Sequence, residues 1–407
     1  MMPRSSAAAY ITLKRMLVFM EAEKNKLTFE QGPIRPPSEA NSLLIRVTRN
    51  CTWNKCAFCL TYRGERFAKR SIQEVKEDIL AAKAIVDEIK ALAWRAGSGG
   101  QVTKELVEEI FRSPQLYDER FRSIAVWLYY GGKHVFLQDA NSITVKTSDL
   151  VEILTFLREQ FPQVERITSY GRAKTIATGK SIEELKELKK AGLTRLHVGL
   201  ETGWDFLLEY MNKGVTAAEH IEAGQKVVES GIELSEYVIL GLGGRKWWQE
   251  HARETAKVLN QINPNFIRLR SLKVLAPMEL QQKIDEGEFE LQTEEEMIVE
   301  ERLLIESLNG ITSTFVSDHI LNLLAEIEGK LPEDKERMLG LIDAFLALPA
   351  EERLNFQLGK RSGIYQVMED MTDPLLHRQV AELMTKLEQQ APGGVEGSIA
   401  RIKETYL

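Results

Sequence analysis

The chain has 407 residues, of which 43% are hydrophobic and 28% are charged, and its formal net charge is −7. The acidic balance gives no electrostatic footprint for duplex DNA or RNA, and no window reaches the roughly 18 uncharged apolar residues of a membrane span. We therefore expect neither a nucleic acid nor a membrane as a partner. Lys14 and Arg15 interrupt the apolar run within residues 1–24, so no signal peptide is predicted and a cytoplasmic location is expected.

Short apolar runs alternate with helical patterns from residue 43 onward. Capping boxes begin three of the predicted helices, at Ser71, Ser181 and Thr216. Two further helices are predicted over about 148–159 and near 247–261. The runs between the helices predict six strands, at 43–48, 135–138, 166–169, 195–200, 237–241 and 266–270.

Strands that alternate with helices form βαβ units and therefore a parallel sheet. This sheet can be an open doubly wound sheet or a partial barrel. In both cases ligands bind at the carboxyl ends of the strands. The sequence predicts an α/β core over 41–275, with a helical insert at about 91–123, after an N-terminal extension of residues 1–40. Residues 276–407 form a predicted helical region without further strands, with helices at 293–308, 318–329 and 334–349.

All three cysteines lie in one stretch directly after the first predicted strand. Cys51, Cys56 and Cys59 follow the spacing C-x4-C-x2-C. An odd number of thiols cannot pair completely within one chain, and this spacing is too tight for a disulfide framework. Three thiolates can bind zinc together with a distant histidine, or three irons of a [4Fe–4S] cluster. A cluster held by three thiolates leaves its fourth iron open to a small molecule.

Basic residues surround the cysteines. They can be a solvated loop, or they can supply counter-charge to an anionic cluster or ligand, and the sequence does not choose between the two. The residues are Arg46, Arg49, Lys55, Arg63, Arg66, Lys69 and Arg70.

The cysteine stretch resembles that of the radical S-adenosylmethionine (SAM) superfamily, in its coproporphyrinogen-oxidase-like and Elongator-like branch. Cys51, Cys56, Phe58 and Cys59 carry the resemblance, because the family has an aromatic residue just before its last cysteine. The family's usual spacing is C-x3-C-x2-C, so this chain has one extra residue. The resemblance covers about 43–280 and implies a partial (β/α)6 TIM-type barrel that binds a [4Fe–4S] cluster through the three cysteines.

The resemblance also implies residues that bind SAM in addition to Phe58. In "VFLQDANS", Asp139 corresponds to the segment that binds the methionine amino group. In "SYGRAKTI", Ser169 and Arg172 lie at the strand end that approaches SAM. Glu201 in "HVGLETG" corresponds to a residue that contacts the ribose or the amino-acid part. Gly241 in "VILGLGG" belongs to a glycine motif that lines the adenine.

The implied chemistry is reductive cleavage of SAM to a 5′-deoxyadenosyl radical, which takes a hydrogen atom from a substrate. We expect a small or medium organic substrate, with a carboxylate or phosphate, and an electron donor such as flavodoxin or ferredoxin. The lack of further cysteines argues against a second cluster ligated by cysteine. Two alternatives stay open: radical modification of RNA or of a protein side chain, and a non-enzymatic zinc-binding protein.

Alternation along two strands places charged side chains in the lumen. It puts His197 and Glu201 on one face of their strand, and Arg268 and Arg270 on one face of theirs. Internal ion pairing and ligand contact are equally compatible with this pattern. Because two buried guanidinium groups need negative partners, we expect an anionic substrate beside Arg268 and Arg270.

The stretch "SDH" at residues 317–319 has two interpretations. Ser317 or Asp318 can cap the helix predicted to begin here, which is the simpler reading. The alternative gives His319 a role in substrate binding.

Overall fold

The computed structural model describes residues 27–114 and 117–405. The prediction that residues 1–24 contain no signal peptide falls outside these ranges. Within them, no helix is both long and apolar enough to cross a membrane.

Among the residues that the structure describes, eight strands form one sheet, and two short strands pair separately. The order in the larger sheet is β1-β4-β5-β6-β7-β8-β9-β10, while β2 pairs with β3. The strands are β1 Leu43–Arg46, β2 Thr48–Arg49, β3 Ala68–Lys69, β4 His134–Gln138, β5 Arg166–Gly171, β6 Leu193–Glu201, β7 Glu233–Leu240, β8 Phe266–Ser271, β9 Thr314–Val316 and β10 Gly329–Lys330.

The six predicted strands are confirmed as β1, β4, β5, β6, β7 and β8, and they neighbour one another in chain order. β1 pairs in parallel with β4, with Leu43 beside Val135, and β7 pairs in parallel with β8, with Tyr237 beside Arg268. A doubly wound sheet reverses its strand order at a switch point, whereas a TIM-type barrel does not. The order without reversal therefore confirms the α/β fold of a partial (β/α)6 barrel.

The helices connect these strands and fill most of the C-terminal region. They are α1 Ile72–Arg95, α2 Lys104–Arg112, α3 Glu119–Tyr129, α4 Thr147–Gln160, α5 Ala173–Gly179, α6 Ile182–Ala191, α7 Asp205–Tyr210, α8 Ala217–Glu229, α9 Gly244–Ile262, α10 Glu279–Asp285, α11 Glu294–Ser307, α12 Lys335–Ala347, α13 Ala350–Arg361, α14 Pro374–Gln390 and α15 Gly394–Glu404.

The predicted capping boxes form. Ser71 and Thr216 each accept a hydrogen bond from the backbone of a glutamate three residues later, and that glutamate's side chain accepts from the backbone of the cap. The Ser181 hydroxyl likewise accepts from the Glu184 amide at 3.1 Å. Each box satisfies backbone N–H groups that have no partner within the helix, which fixes where the helix begins.

The chain divides into two compact units. The first contains the chain up to Thr52 together with Glu65–Tyr170 and Lys186–Arg195. Its core includes the apolar face of α1 and the buried strand β4. The second unit contains Trp53–Gly64, Gly171–Leu185 and Leu196–Leu407, with β7 and β8 at its centre.

The prediction for 318–329 is wrong, because this segment contains no helix and ends at β10. Short strands β9 and β10 also contradict the prediction of no strand after residue 275, and β9 pairs in parallel with β8. The physical reason is that polar side chains in the segment bind β8. The Asn322 side-chain amide donates to the Leu269 carbonyl, and its side-chain oxygen accepts from the Ser271 hydroxyl. These contacts with β8 replace the local helix.

Candidate active site

The residue directly after Cys56 is bound to two other segments of the second unit. The Ala57 amide donates to the Met211 carbonyl at 2.9 Å, and the Ala57 carbonyl accepts from the Leu280 amide at 3.0 Å. Ala57 is fully buried in an apolar cluster that also contains Met211 and Leu280. The backbone that carries Cys56 and Cys59 is therefore held at a fixed place.

The backbone within the C-x4-C spacing takes a left-handed conformation at one residue. Asn54 has a φ of +55°, a conformation that asparagine adopts more readily than most residues. Beside it, the Trp53 indole N–H donates to the Asn212 carbonyl at 2.6 Å. The Trp53 ring lies against Gly214, where a Cβ atom would stand 2.4 Å from the ring. Glycine at 214 thus allows the ring to pack there.

Arg63 supports the same loop. Its guanidinium donates to the carbonyl oxygens of Cys56 at 2.7 Å, and of Cys59 and Asn54 at 3.3 Å. Of the basic residues near the cysteines, Arg46, Arg49 and Arg70 form ion pairs with carboxylates of the first unit. The hypothesis of a general counter-charge does not hold for these three, because their charge is already balanced locally.

The three thiols are free, and each cysteine is partly buried. Burial raises the pKa of the Cys56 thiol, while the positive charge of Lys213 acts in the opposite direction. The Thr61 hydroxyl oxygen lies 3.7 Å from the Cys59 Sγ. Among the described residues, no three His, Cys, Asp or Glu side chains converge as they would on a single metal ion. In a [4Fe–4S] cluster each thiolate binds a different iron, so convergence on one point is not required.

In the first unit, Asp139 fixes the backbone just before Cys51. Asp139 is fully buried at the end of β4, and one carboxylate oxygen accepts from the Asn50 amide at 3.0 Å and from the Arg46 Nε at 2.7 Å. Arg46 in turn pairs with Glu30 at 2.8 Å. Asn50 has a φ of +69°, so this bond holds a backbone turn at the start of the cysteine stretch. Ser169, on β5 of the same unit, is buried, and its hydroxyl donates to the Tyr170 carbonyl at 3.1 Å.

Lys213 connects three of the predicted site residues in the second unit. Its ammonium lies 2.7 Å from Glu201 Oε1 and 5.8 Å from the centre of the Phe58 ring. Its carbonyl accepts from the Arg172 guanidinium at 2.7 Å. Burial acts to lower the pKa of Lys213, but the charges of Glu201 and Cys56 outweigh burial and raise it above its ordinary value. Lys213 therefore stays positively charged. It was not among the site residues predicted from the sequence.

Gly241 follows β7 in a turn with a φ of +82°. Its amide donates to both carboxylate oxygens of Glu300, at 3.2 and 3.3 Å. Glu300 is fully buried, and burial raises its pKa to about 8. His251 lies 3.3 Å from Glu300 and also contacts the Ile239 carbonyl at 3.0 Å. The glycine turn is thus supported by a buried polar network.

The network around Glu300 was not predicted from the sequence, although the sequence contains one signal for it. Glu300 stands among Met297, Ile298 and Leu304 on α11, and a carboxylate inside an apolar helix face indicates a buried partner.

A cavity of about 320 Å³ lies in the second unit at the end of β8. Arg270 and His319 supply polar groups to its wall, and Phe58 connects it to the cysteine stretch. The prediction that Ser317 or Asp318 caps a helix is wrong, because Asp318 instead pairs with Arg268 at 2.6 Å and with Arg270 at 3.0 Å. Further wall residues include Ile239, Leu272 and Leu321.

Family membership follows from comparison with known proteins. The model of the radical SAM superfamily matches residues 45–256, just over half of the chain, and the chain belongs to this superfamily. The resemblance inferred from the cysteine stretch is therefore confirmed. Members bind a [4Fe–4S] cluster and SAM, so the protein is a radical SAM iron–sulfur enzyme. The alternative of a non-enzymatic zinc protein is set aside.

Individual relatives are distant. The tRNA uridine(34) acetyltransferase of Methanocaldococcus jannaschii is 26% identical over 119 residues, which cover 28% of this chain and 22% of that protein. The chain thus matches about a fifth of that relative's length. Among solved structures, Elp3 of Methanocaldococcus infernus is 17% identical with a TM-score of 0.37, covering 46% of this chain and 48% of that one. Coproporphyrinogen III oxidase of Escherichia coli is 16% identical with a TM-score of 0.38, covering 68% and 51%.

The residues present fit the two cofactors. Three unpaired thiols lie in one loop, and the backbone of that loop is held by Met211 and Leu280. Beside Cys56, the Lys213 ammonium and the Glu201 carboxylate provide one positive and one negative group. Such a pair matches the zwitterionic methionine part of SAM.

Proposed function

We propose that this enzyme cleaves SAM reductively and abstracts a hydrogen atom from an organic substrate that carries a carboxylate or phosphate. The observation that carries the proposal is Lys213, whose ammonium pairs with Glu201, lies near Phe58 and acts electrostatically on Cys56. This arrangement joins the cysteine loop to the side chains expected to bind SAM.

Each cysteine has one role in this proposal. Cys51, Cys56 and Cys59 would hold three irons of the cluster, which would leave the fourth iron available to SAM. Together the bound cluster and SAM supply a strong abstractor of hydrogen atoms. The polypeptide contributes position and exclusion of water. Arg63 holds the loop through the carbonyls of Cys56 and Cys59, and this contact leaves both thiol groups available for iron.

The SAM contacts divide between charged and apolar groups. Glu201 and Lys213 bind the amino and carboxylate groups of methionine or the ribose, and Arg172 fixes Lys213 through its backbone. Phe58 and the turn at Gly241 line the adenine. Asp139 and Ser169 remain proposed contacts at the ends of β4 and β5. Because Asp139 also binds the Asn50 amide, we assign it a second role in positioning Cys51.

Electrons come from a reduced carrier such as flavodoxin or ferredoxin. A cytoplasmic location is part of the proposal, supported by three thiols without disulfide partners. The predicted division into an extension, a core over 41–275 and a C-terminal region also remains a proposal.

Anaerobic purification tests the central claim. We expect a brown protein with about four irons per chain. With dithionite as reductant, it should convert SAM into 5′-deoxyadenosine and methionine. A colourless protein after reconstitution with iron and sulfide, or a loaded protein that leaves SAM intact, would contradict the proposal.

Modification of tRNA is a second candidate, because the curated relative named above is a tRNA acetyltransferase. The net charge of −7 weighs against it. Binding of bulk tRNA with an affinity that falls steeply with salt would favour this candidate.

A further inference from the structure

Arg268 and Arg270 share one carboxylate. Asp318 Oδ2 lies 2.6 Å from Arg268 Nη1, and Asp318 Oδ1 lies 3.0 Å from Arg270 Nη1. Glu201, which the sequence analysis placed in the same lumen, pairs with Lys213 instead. Two positive groups and one negative group leave one positive charge in a largely buried setting. An uncompensated buried charge is costly, so the site is complementary to one further negative charge.

Arg270 is the arginine that can reach a ligand, because it lines the cavity. Its Nη2 is buried and has no hydrogen-bond partner among the residues that the structure describes. The Tyr237 ring stacks against the guanidinium with its centre 4.6 Å away, which restricts the orientation of the group. Nη2 is therefore a charged donor that is already oriented before a ligand binds.

His319 supplies a second, neutral donor to the same cavity. Its Nδ1 accepts from the Ser271 amide at 3.3 Å, so the ring proton resides on Nε2. Burial lowers the pKa of His319 to about 4, and the charge of Arg270 acts in the same direction. At neutral pH the ring thus donates through Nε2 without adding charge.

The rest of the cavity wall is mostly apolar. Ile239, Leu272 and Leu321 line it together with Phe58, which lies next to Cys59. The volume of about 320 Å³ is at the small end of the range for ligand pockets. Ser271 and Lys273 also line the cavity, and the Lys273 ammonium donates to the carbonyls of Lys403 and Glu404 at 3.2 Å each. A ligand here therefore meets Arg270 and His319 on a wall that is otherwise largely apolar.

We propose that the substrate is a carboxylic acid with an apolar body, whose carboxylate accepts from Arg270 Nη2 and from His319 Nε2. One charged and one neutral donor match the two oxygens and the single charge of a carboxylate. The Lys273 ammonium is not counted among these donors, because it is already bound to two backbone carbonyls. The inference rests on the proposed function and names the substrate class for that site. The iron-bound end of SAM is assigned to Glu201 and Lys213, which leaves Arg270 for the substrate.

Calorimetry on the anaerobically reconstituted enzyme with saturating SAM tests this subsite. The probes are hexanoate, hexanamide and hexyl phosphate, which share a chain and differ in the head group. We expect hexanoate to bind at least about tenfold more tightly than either of the others. Arg270→Gln and His319→Phe should each weaken hexanoate binding. The matched control Arg302→Gln, at an exposed pair with Asp343, should leave it unchanged.

Three results would overturn the subsite: no hexanoate binding to the wild type, equal or tighter binding of the amide or phosphate, or unchanged affinity in Arg270→Gln. A loss of SAM affinity in Arg270→Gln, with hexanoate binding retained, would assign the arginine to SAM and also overturn it. Iron content and SAM cleavage are measured on the same samples. Failure of the proposed function would appear there, whereas failure of the subsite alone would leave both intact.

Discussion

The Lys213 ammonium and the Glu201 carboxylate form a partly buried ion pair, 2.7 Å apart, directly beside the cysteine stretch. Glu201 has a φ of +62°, so the backbone turns sharply where β6 ends and the carboxylate is presented. A partly buried pair of this kind contributes little net stability, because desolvation offsets much of the Coulomb attraction. The position of the pair is consistent with a ligand that carries both charges.

Neutralising this pair should weaken SAM binding without removing the cluster. Glu201→Gln and Lys213→Gln should each keep the iron content of the wild type, while SAM affinity falls about tenfold or more. Calorimetry with SAM on reconstituted protein measures the effect. Arg302→Gln is the control, since it also removes one partner of an ion pair but lies on the surface. Unchanged SAM affinity in both variants would show that these are not SAM contacts.

Replacing a cluster ligand, by contrast, should remove the iron itself. In Cys56→Ala the iron content should fall close to zero, since two thiolates do not hold a [4Fe–4S] cluster, and SAM cleavage should cease. The far-ultraviolet circular dichroism should stay close to that of the wild-type apoprotein, because the loop lies outside the sheet. Thr61→Ala, which alters the hydroxyl beside Cys59 Sγ, should keep its iron. Wild-type iron levels in Cys56→Ala would refute the ligand assignment.

Replacing Gly214 should lower the unfolding free energy by more than its positive φ alone predicts. Both Gly214 and Gly231 have positive φ, at +68° and +80°, but only Gly214 has a neighbour within reach of an added Cβ, namely Trp53. Gly231→Ala should therefore cost about 1 kcal/mol of unfolding free energy from strain alone. Gly214→Ala should cost more and should also lower the iron content, because Trp53 lies between Cys51 and Cys56. Denaturant unfolding and iron analysis of the two variants compare them directly, and equal costs with full iron would contradict this account.

The stability of the protein should carry a pH dependence from Glu300. Burial raises the pKa of Glu300 from its ordinary value of 4.5 to about 8, so the folded state holds a proton that the unfolded state releases. Its contribution to stability is fully present below about pH 4.5 and is lost as the pH rises to about 8. Glu300→Gln should remove this loss, so its unfolding free energy relative to the wild type should increase between pH 5 and pH 8. A constant difference across that range would contradict the prediction.

Replacing Arg361 should weaken hexanoate binding, because Arg361 holds the loop that forms part of the cavity wall. Its guanidinium binds Glu294 and donates to the carbonyls of Ile320 and Leu321 at 2.8 Å each. Arg361→Met leaves Glu294 with a buried and weakly compensated charge, which should destabilise the fold by about 3 kcal/mol or more. Hexanoate affinity should fall while SAM affinity is unchanged.

The control for this prediction is Arg353→Met on the same helix, where a more exposed arginine pairs with Glu295. To separate wall position from stability, Glu294→Met can be combined with Arg361→Met, which removes both charges. The double variant should recover much of the stability and still bind hexanoate weakly. Full recovery of hexanoate affinity would show that Arg361 has only a structural role.

The local patterns of the sequence determined most of the barrel. Capping boxes at Ser71 and Thr216 satisfy backbone groups within one turn, so they predict where helices begin without knowledge of the rest of the chain. The six core strands follow from short apolar runs between such helices. The spacing of Cys51, Cys56 and Cys59 identified the family, because ligands contributed by one loop are close in sequence as well as in space.

Tertiary structure alone decided which distant charges meet. Asp318 was predicted to cap a helix, and its local sequence allows that, but pairing with Arg268 and Arg270 of β8 replaces the helix. Lys213 lies twelve residues after Glu201, with no periodic pattern to connect them, and the turn between α7 and α8 brings them together. Local propensities amount to tenths of a kcal/mol per residue, whereas leaving a buried charge unpaired costs several kcal/mol. Where the two conflict, as at 318–329, the long-range pairing determines the structure.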